Sequence, residues 1–323
     1  MRTLATAIAL ATLLSGYAGP SRGQNGFPSK PVRILVPFAS GTSDAVARIV
    51  GQRMSETLEQ PVVIENKPGA NGVLASEFVT RQPPDGHTLQ ICANATHGLA
   101  SLFMKNVPFD PFRDFTMIGG IISSPYALLA HSSVPANTVP ELLEFVRSNP
   151  GRRSLGSGGV GSHPHLAVEL LNQATKLGFQ HVPYRGGGPA MNDLVAGHIP
   201  MLFATIGTAK EFVAAGRIKM IAVMGEKRLP DFPDLPALGE TIPGFDVPDF
   251  LAGLCGPAGM PPAVVARLNR ELDAALSTPR VAAQIEKLLM HPAPMSPQEF
   301  RSRLEKDFEI FKRITTAAGI RPE

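Results

Sequence analysis

The feature that most constrains this chain is a repeated alternation of short apolar runs with helical patterns from residue 32 onward. "VRILVP" (32–37) is expected as a buried strand, and "DAVARIVGQRMSETL" (44–58) sets Val46, Ile49, Val50, Met54 and Leu58 on one helical face. "PVVIEN" (61–66) and "HTLQIC" (87–92) read as further strands, followed by helices near 73–81 and 95–104. Short strands separated by helices predict a mainly parallel sheet with helices on both faces.

An extended region, "FTMIGGIISSPYALLA" (115–130), opens a second series. Its first helix (138–148) starts with a capping box of Thr138 and Glu141, and strand and helix units follow at 152–175, 179–197 and 199–215, then a strand at 218–223. The proline-rich stretch 226–250 breaks the rhythm and reads as a connection back to the first series. "FLAGLCGP" (250–257) is one more strand. Residues 261–318 are expected to be helical throughout, with a helix start at Ser296, Pro297 and Glu299. The predicted architecture is α/β with two domains, 25–123 plus 247–323 and 124–246, crossed near 123 and again within 225–250. A cleft between such domains is where a ligand binds.

With 323 residues, 44% hydrophobic and 18% charged, the chain can bury two ordinary cores. The net charge is only +3, and the basic residues form no stripe with interleaved aromatics, which argues against nucleic acid as a partner. Residues 1–24 carry Arg2, an apolar run from Leu4 to Leu14, and small residues around Ala18 and Gly23. This is the pattern of a cleaved export signal, too short to span a bilayer. No cysteine follows it to take a lipid, so an exported, periplasmic protein is expected. Cys92 and Cys255 are the only cysteines. They read as two separate buried apolar side chains, although an oxidising compartment permits a bridge.

Three loops stand where a strand ends and a helix begins: "PFASGTSD" (37–44), "GSGGVGSHPH" (156–165) and "PYRGGGP" (183–189). The first turn of a helix leaves N–H groups without intrahelical partners and carries about half a positive charge, so such loops are suited to an anion. If all three converge, the ligand has a negative group at each end, and a small dicarboxylate or tricarboxylate fits better than a phosphate because no P-loop lysine is present. Gly156, Gly158 and Gly161 have dinucleotide-turn spacing, but about 20 residues on Gln180 and His181 occupy the place of the ribose-binding acid. His163, His165 and Glu169 find no further ligands to complete a metal set. No G-x-S-x-G elbow organises a nucleophile. Arg185 is the one permanent positive charge in the three loops and is either a partner for a ligand carboxylate or a solvated loop residue. Asp44 is a helix-start acid or the acceptor for a ligand amino group.

The chain resembles the Bug-type extracytoplasmic receptors of tripartite tricarboxylate transporters. The resemblance is carried in order by "FPSKPVRILVPFASGTSDAVAR", "VIENKPGANG", "PPDGHTL", "VPFDPFRDF", "GSGGVGSHPHLAVELL", "HVPYRGGGPAMNDLVAGHI" and "GPAGMPP". It implies a type II Venus flytrap fold without enzymatic activity, cofactor or metal. It also implies a receptor that takes a small carboxylate through backbone amides and waters, then passes it to membrane transporter subunits; a monomer is expected, and the alternatives are a sensor that feeds a signalling partner or a periplasmic hydrolase using the same cleft. Carried over by position, the first-domain contacts are Phe38, Ala39, Ser40, Gly41, Thr42, Ser43 and Asp44, with Asn94, Ala95 and Thr96 at the third strand. Ser157, Gly158, Gly161, Ser162, His165, Tyr184, Arg185 and Gly186 line the opposite side. The first loop departs from the family's pattern, being one residue shorter with one glycine fewer, and the family's frequent tryptophan around 250–254 is missing. Dicarboxylates, tricarboxylates, amino acids and aromatic carboxylates all stay open as ligands.

Overall fold

The computed structural model describes residues 26–37 and 42–322. The export segment and Phe38, Ala39, Ser40 and Gly41 lie outside the described residues. The first series runs β1 (Val32–Val36), α1 (Thr42–Leu58), β2 (Val62–Asn66), α2 (Val73–Thr80) and β3 (Thr88–Ala93). A π-turn at Ala95–Leu99 then leads into α3 (Ala100–Phe103) and β4 (Phe115–Ser124). The second runs β5 (Tyr126–His131), α4 (Val139–Ser148), β6 (Ser154–Ser157), α5 (His163–Thr175), β7 (Gln180–Pro183), α6 (Gly187–Val195), β8 (Met201–Thr205), α7 (Ile206–Ala214) and β9 (Ile218–Val223). After α8 (Leu238–Thr241) come β10 (Phe250–Pro257), α9 (Pro262–Leu276), α10 (Pro279–Lys287), β11 (His291–Met295) and α11 (Pro297–Ala317).

The strands form two sheets, ordered β11-β4-β10-β3-β1-β2 and β7-β6-β8-β5-β9. In the first, β1 to β4 run together while β10 and β11 oppose them; in the second, β6 to β9 run together and only β5 opposes. The reversals at β5 and β10 have a geometric cause. The chain leaves the first sheet at Ser124, turns through Pro125, and must start β5 at the end of the second sheet where the other strands finish. It returns the same way from Val223 to Phe250. Both crossings therefore meet the carboxyl ends of the parallel strands, where ligands of α/β sheets bind.

The long extended region expected at 115–130 is thus two strands in different sheets, since Pro125 carries no N–H for a continued ladder. The expectation of helix throughout 261–318 is also corrected: β11 interrupts it and pairs antiparallel with β4 at the sheet edge. Pro292 and Pro294 mask this strand in the sequence, yet an edge is the place a strand tolerates proline.

The core follows the apolar periodicity. Val46, Val50, Met54 and Leu58 of α1 are buried against Ile34, Val36 and Leu89 of the first sheet, while Leu128, Leu155, Met201 and Phe203 meet Leu166 and Leu171 of α5 under the second. Helix α11 joins the two. Its Phe300 and Leu304 pack with Leu35 and Leu251, and its Phe311 and Ile314 pack with Leu166 and Phe203. The start of α11 is a complete capping box, with Glu299 N–H donating to Ser296 Oγ (3.2 Å) and Ser296 N–H to Glu299 Oε2 (2.8 Å). At α4 Thr138 caps Glu141 N–H at 3.4 Å, but the Glu141 carboxylate reaches back to Asn137 N–H instead, at 2.7 Å.

The two cysteines are not separate. Cys92 and Cys255 form a disulfide with Cα atoms 5.9 Å apart, within the usual range for a bridge. They sit diagonally on one face of the adjacent strands β3 and β10, where Cys92 faces Gly253 and Cys255 faces Gln90. Strand neighbourhood across 163 residues is invisible in the spacing that suggested two independent side chains.

Candidate ligand-binding cleft

Among the described residues, two chambers open between the sheets. The larger, about 590 Å³, lies among Pro37, the loop Pro68–Gly72, the turn at Ala95–Ala100, Phe103, Tyr126, Phe250 and the loop 158–163. The smaller, about 430 Å³, is bounded by Thr42, Ser124, Pro164, Gly186–Gly188, Phe203–Thr205, Thr208 and Leu288–Met290. Tyr126, Gly158 and Ser162 border both. No Lys, Arg, Asp or Glu lines either chamber among the described residues. Polarity comes from the starts of helices. Around the smaller chamber stand the first residue of α1 (Thr42), the N-caps of α5 (Ser162), α6 (Gly186) and α7 (Thr205), and the hydroxyl-bearing Thr208. Each brings the positive end of a helix dipole, while part of the N–H set is already used: His165 N–H by Ser162 Oγ, Gly186 N–H by Gly158 O and Ile206 N–H by Pro125 O.

The second-sheet loop is braced from behind by two histidines. Ser157 Oγ lies 2.6 Å from His181 Nε2 and accepts Gly159 N–H at 3.1 Å. His165 Nδ1 accepts Gly161 N–H at 3.1 Å, and its ring stacks on that of His181 with centroids 4.3 Å apart. Burial holds His181 down at about 4, helped by its neighbour His165, and lowers His165 as well. Neutral His165 is what the accepted hydrogen bond requires. Ser162 Oγ caps His165 N–H (3.3 Å) and donates to Gly159 O (2.7 Å). Tyr184 N–H and Gly186 N–H donate to Ser157 O and Gly158 O, both at 3.1 Å, so the loops at 157–162 and 184–186 form one unit. The Ser157 and His181 pair resembles a nucleophile with its base, but Ser157 is fully buried and faces neither chamber.

The residues proposed from the sequence separate into groups. Thr42, Thr96, Gly158, Gly161, Ser162 and Gly186 border the chambers. Ser157 and His165 stand behind the loop. Asp44, in the first turn of α1, is held by Arg48 through contacts of 2.9 and 3.1 Å, and that pairing keeps its carboxyl below the ordinary value; Ser43 precedes it in the same turn. Tyr184 turns away to donate to Asp193 at 2.7 Å, and Arg185 is exposed outside both chambers. Phe38 to Gly41 lie outside the described residues.

Asn94 belongs to a buried network at the crossings. Its Nδ2 donates to Asp249 O (2.8 Å) and Asp307 Oδ2 (2.9 Å), and its Oδ1 accepts from His163 Nε2 (3.0 Å) and Leu251 N–H (3.2 Å). Asp249 Oδ1 in turn accepts Tyr126 N–H at 3.3 Å, linking the start of β5 to the residue before β10. Arg303 pairs with Asp307 at 2.9 Å. Burial pushes Asp249 up to about 7 and holds His163 down at about 3. A cluster of Cys92, His97 and Cys255 is also buried together, but the sulfurs are bonded to each other and leave no thiolate for a metal.

Sequence reasoning passed over the loop Pro68–Gly72, Thr205, Tyr126, Phe250 and Leu288–Met290. The first two were within reach, because both follow strand carboxyl ends as the three chosen loops do. Gly72 has φ +91°, and a Cβ there would lie 2.7 Å from Thr96 Cγ2 and 3.1 Å from Pro37 Cβ, so the loop closes on the cleft only with glycine. Tyr126 and Phe250 open the reversed strands, a position known only once the crossings are placed. Nothing in the sequence marks 288–290.

Comparison with known proteins identifies the family. Residues 46–320 match the model of the tripartite tricarboxylate transporter family receptor. The R. palustris protein Rpa4515, solved with adipate, is 30% identical with a TM-score of 0.78, covering 92% of this chain and 100% of that one. Periplasmic binding protein BugD is 30% identical with a TM-score of 0.74 over 92% and 100%, and MatC from Rhodopseudomonas palustris with bound malate is 32% identical with a TM-score of 0.73 over 89% and 99%. Among the described residues no helix is long and apolar enough to cross a membrane. The chain belongs to the Bug-type receptors of the tripartite tricarboxylate transporter family, which bind their ligands and do not transform them.

Proposed function

We propose that this protein is a periplasmic receptor that captures a small organic carboxylate between two domains, 25–123 plus 247–323 and 124–246, and delivers it to tripartite transporter subunits in the membrane. One observation carries the reading: the starts of α1, α5, α6 and α7 converge on a chamber that, among the described residues, has no charged side chain. A carboxylate there is held by preorganised N–H and hydroxyl donors drawn from both sheets, so binding favours closure. Thr42, Ser162, Gly186 and Thr205 are its nearest contacts, Gly158 and Gly161 shape the loop above it, and Ser157 and His165 hold that loop in place. The adipate and malate in related structures support a carboxylate of this size.

A thermal-shift panel of mono-, di- and tricarboxylates tests the reading. A true ligand at 100 times its dissociation constant stabilises the protein by about 2.7 kcal/mol. A panel in which no carboxylate raises the melting point overturns it.

A further inference from the structure

Neither chamber offers an anion a charged side chain among the described residues, yet a group of carboxylates stands at the crossings beside them. Asp249 precedes Phe250, which borders the larger chamber, and its Oδ1 accepts the N–H of Tyr126, which borders both. Asn94 Nδ2 donates to Asp249 O and to Asp307 Oδ2, and His163, stacked on Tyr126 with centroids 5.7 Å apart, meets Asn94 through Nε2. The charges acting on Asp249 are those of Asp246 and Asp307 against Arg303, which is already paired with Asp307 at 2.9 Å. Burial keeps His163 neutral and raises the Tyr126 hydroxyl, so neither supplies a counter-charge at neutral pH. With Asp249 ionised, three acids face one arginine. Asp249 is only partly buried, so water reaches it with a proton.

Resting on the carboxylate-receptor reading, we infer that Asp249 takes up a proton as the receptor captures a carboxylate anion, so that acid and proton are bound together. An anion entering a cleft lined by no cation adds like charge beside this group, and in a site of low dielectric a like charge favours the protonated form of a carboxyl. Burial already brings Asp249 to about 7, so a further push acts at neutral pH. Proton uptake on binding makes capture tightest below about pH 7, and affinity falls as pH rises until the complex loses the proton too. Protonated Asp249 keeps an acceptor oxygen for Tyr126 N–H, so the tie between the start of β5 and the residue before β10 survives the change.

Calorimetric titration of the purified chain with malate, adipate and benzoate, in phosphate and in Tris buffer between about pH 6.5 and 8.5, tests the assignment; the acids themselves are ionised over this range. At pH 7 the binding heats should differ between the two buffers by the uptake of up to about half a proton per acid bound, and affinity should fall several-fold across the range. Asp249→Asn keeps an acceptor for Tyr126 N–H but cannot titrate. It should give equal protonation-corrected heats in both buffers, a flat profile, and tighter binding than wild type at the upper pH. Buffer-independent heats with a flat profile in wild type overturn the inference while leaving the receptor reading intact. So does a pH dependence that persists in Asp249→Asn, or a loss of affinity in that variant at every pH, which would make Asp249 structural only. Failure of every acid to bind overturns both.

Discussion

Gly207 offers the sharpest test of closure. It is the second residue of α7, and a Cβ built there would lie 2.3 Å from Leu289 Cβ and 2.6 Å from the Leu289 carbonyl oxygen, contributed by the turn between α10 and β11 in the other half of the molecule. Carbon atoms in contact keep about 3.5 Å apart, so Gly207→Ala must push the two faces apart by about 1 Å at the edge of the smaller chamber. Leu289 cannot readily yield, since it is already in the left-handed region with φ +62°. Overpacking of this kind costs about 1–3 kcal/mol, which applied to the closed form alone is a loss of roughly 5- to 150-fold in affinity. The free protein should be unaffected or slightly stabilised, because alanine replaces glycine in a helix with a gain of up to about 1 kcal/mol. The assay is titration with the tightest acid from the panel, paired with the melting point of the unliganded variant. Leu289→Gly in the same chain should recover part of the affinity by removing one of the two clashes. Unchanged affinity in Gly207→Ala would show that these surfaces do not meet in the ligand-bound form, and a large fall in the free protein's melting point would show that they meet without ligand too.

Removing the disulfide by Cys92→Ala with Cys255→Ala should cost about 2–5 kcal/mol in urea unfolding, given the long loop it closes; equal midpoints for reduced and oxidised protein would contradict the pairing. Ser157→Ala leaves half-buried His181 without its 2.6 Å partner, so a stability loss of about 1–3 kcal/mol should accompany weaker ligand binding, and weaker binding at full stability would place the hydroxyl on the ligand instead. Arg185→Ala should change affinity less than two-fold, and a ten-fold loss would bring that side chain into the site. Stability should also fall on acidification. His97, His163 and His181 are lowered by burial to about 3, 3 and 4, so their contribution is complete above the unfolded value near 6.5 and is lost as pH falls towards 3. Asp249, raised by burial to about 7, acts oppositely: its contribution is complete below about 4 and is lost as pH rises to 7. Between pH 7 and 4.5 the unfolded chain gains protons at three histidines while the folded chain gains one at Asp249. The unfolding free energy should therefore drop by about 3 kcal/mol, with His181 counted at a discount for its partial exposure. A flat or rising profile measured by urea titration at the two pH values would refute it.

What the sequence discloses here is whatever is encoded by neighbours along the chain. The buried face of α1, the Ser296 capping box and the placing of small residues at strand ends are local, and each is readable at a spacing of two to four residues. What stays hidden depends on partners far away. Asn94 is a ligand contact by the resemblance to the family, yet its amide is filled by Asp249, Leu251, Asp307 and His163, none within 60 residues. Arg185 draws attention by its charge, but its side chain is exposed and lines neither chamber. β11 is concealed by its own prolines, and Leu289 is an ordinary side chain until the fold sets it against Gly207.

The buried network and the uncharged chamber fit one physical scheme. In the proposed closure the halves move about the two crossings that run along the cleft, where the Tyr126 N–H to Asp249 Oδ1 bond and the Asn94 Nδ2 bond to Asp249 O tie the start of β5 to the residue before β10. With the pivot satisfied internally, a ligand need contribute nothing to holding it. The free energy of binding can then go into closing the jaws around a carboxylate held by N–H groups and hydroxyls. Those donors are oriented by helices that exist with or without the ligand, so little ordering is required when it arrives. A fixed arginine in the chamber would strengthen capture, but it would also hold the anion when the jaws open. Dipoles that act strongly only while water is excluded lose much of their hold once the cleft is flooded, which is the property a receptor needs if it is to release its ligand to a transporter.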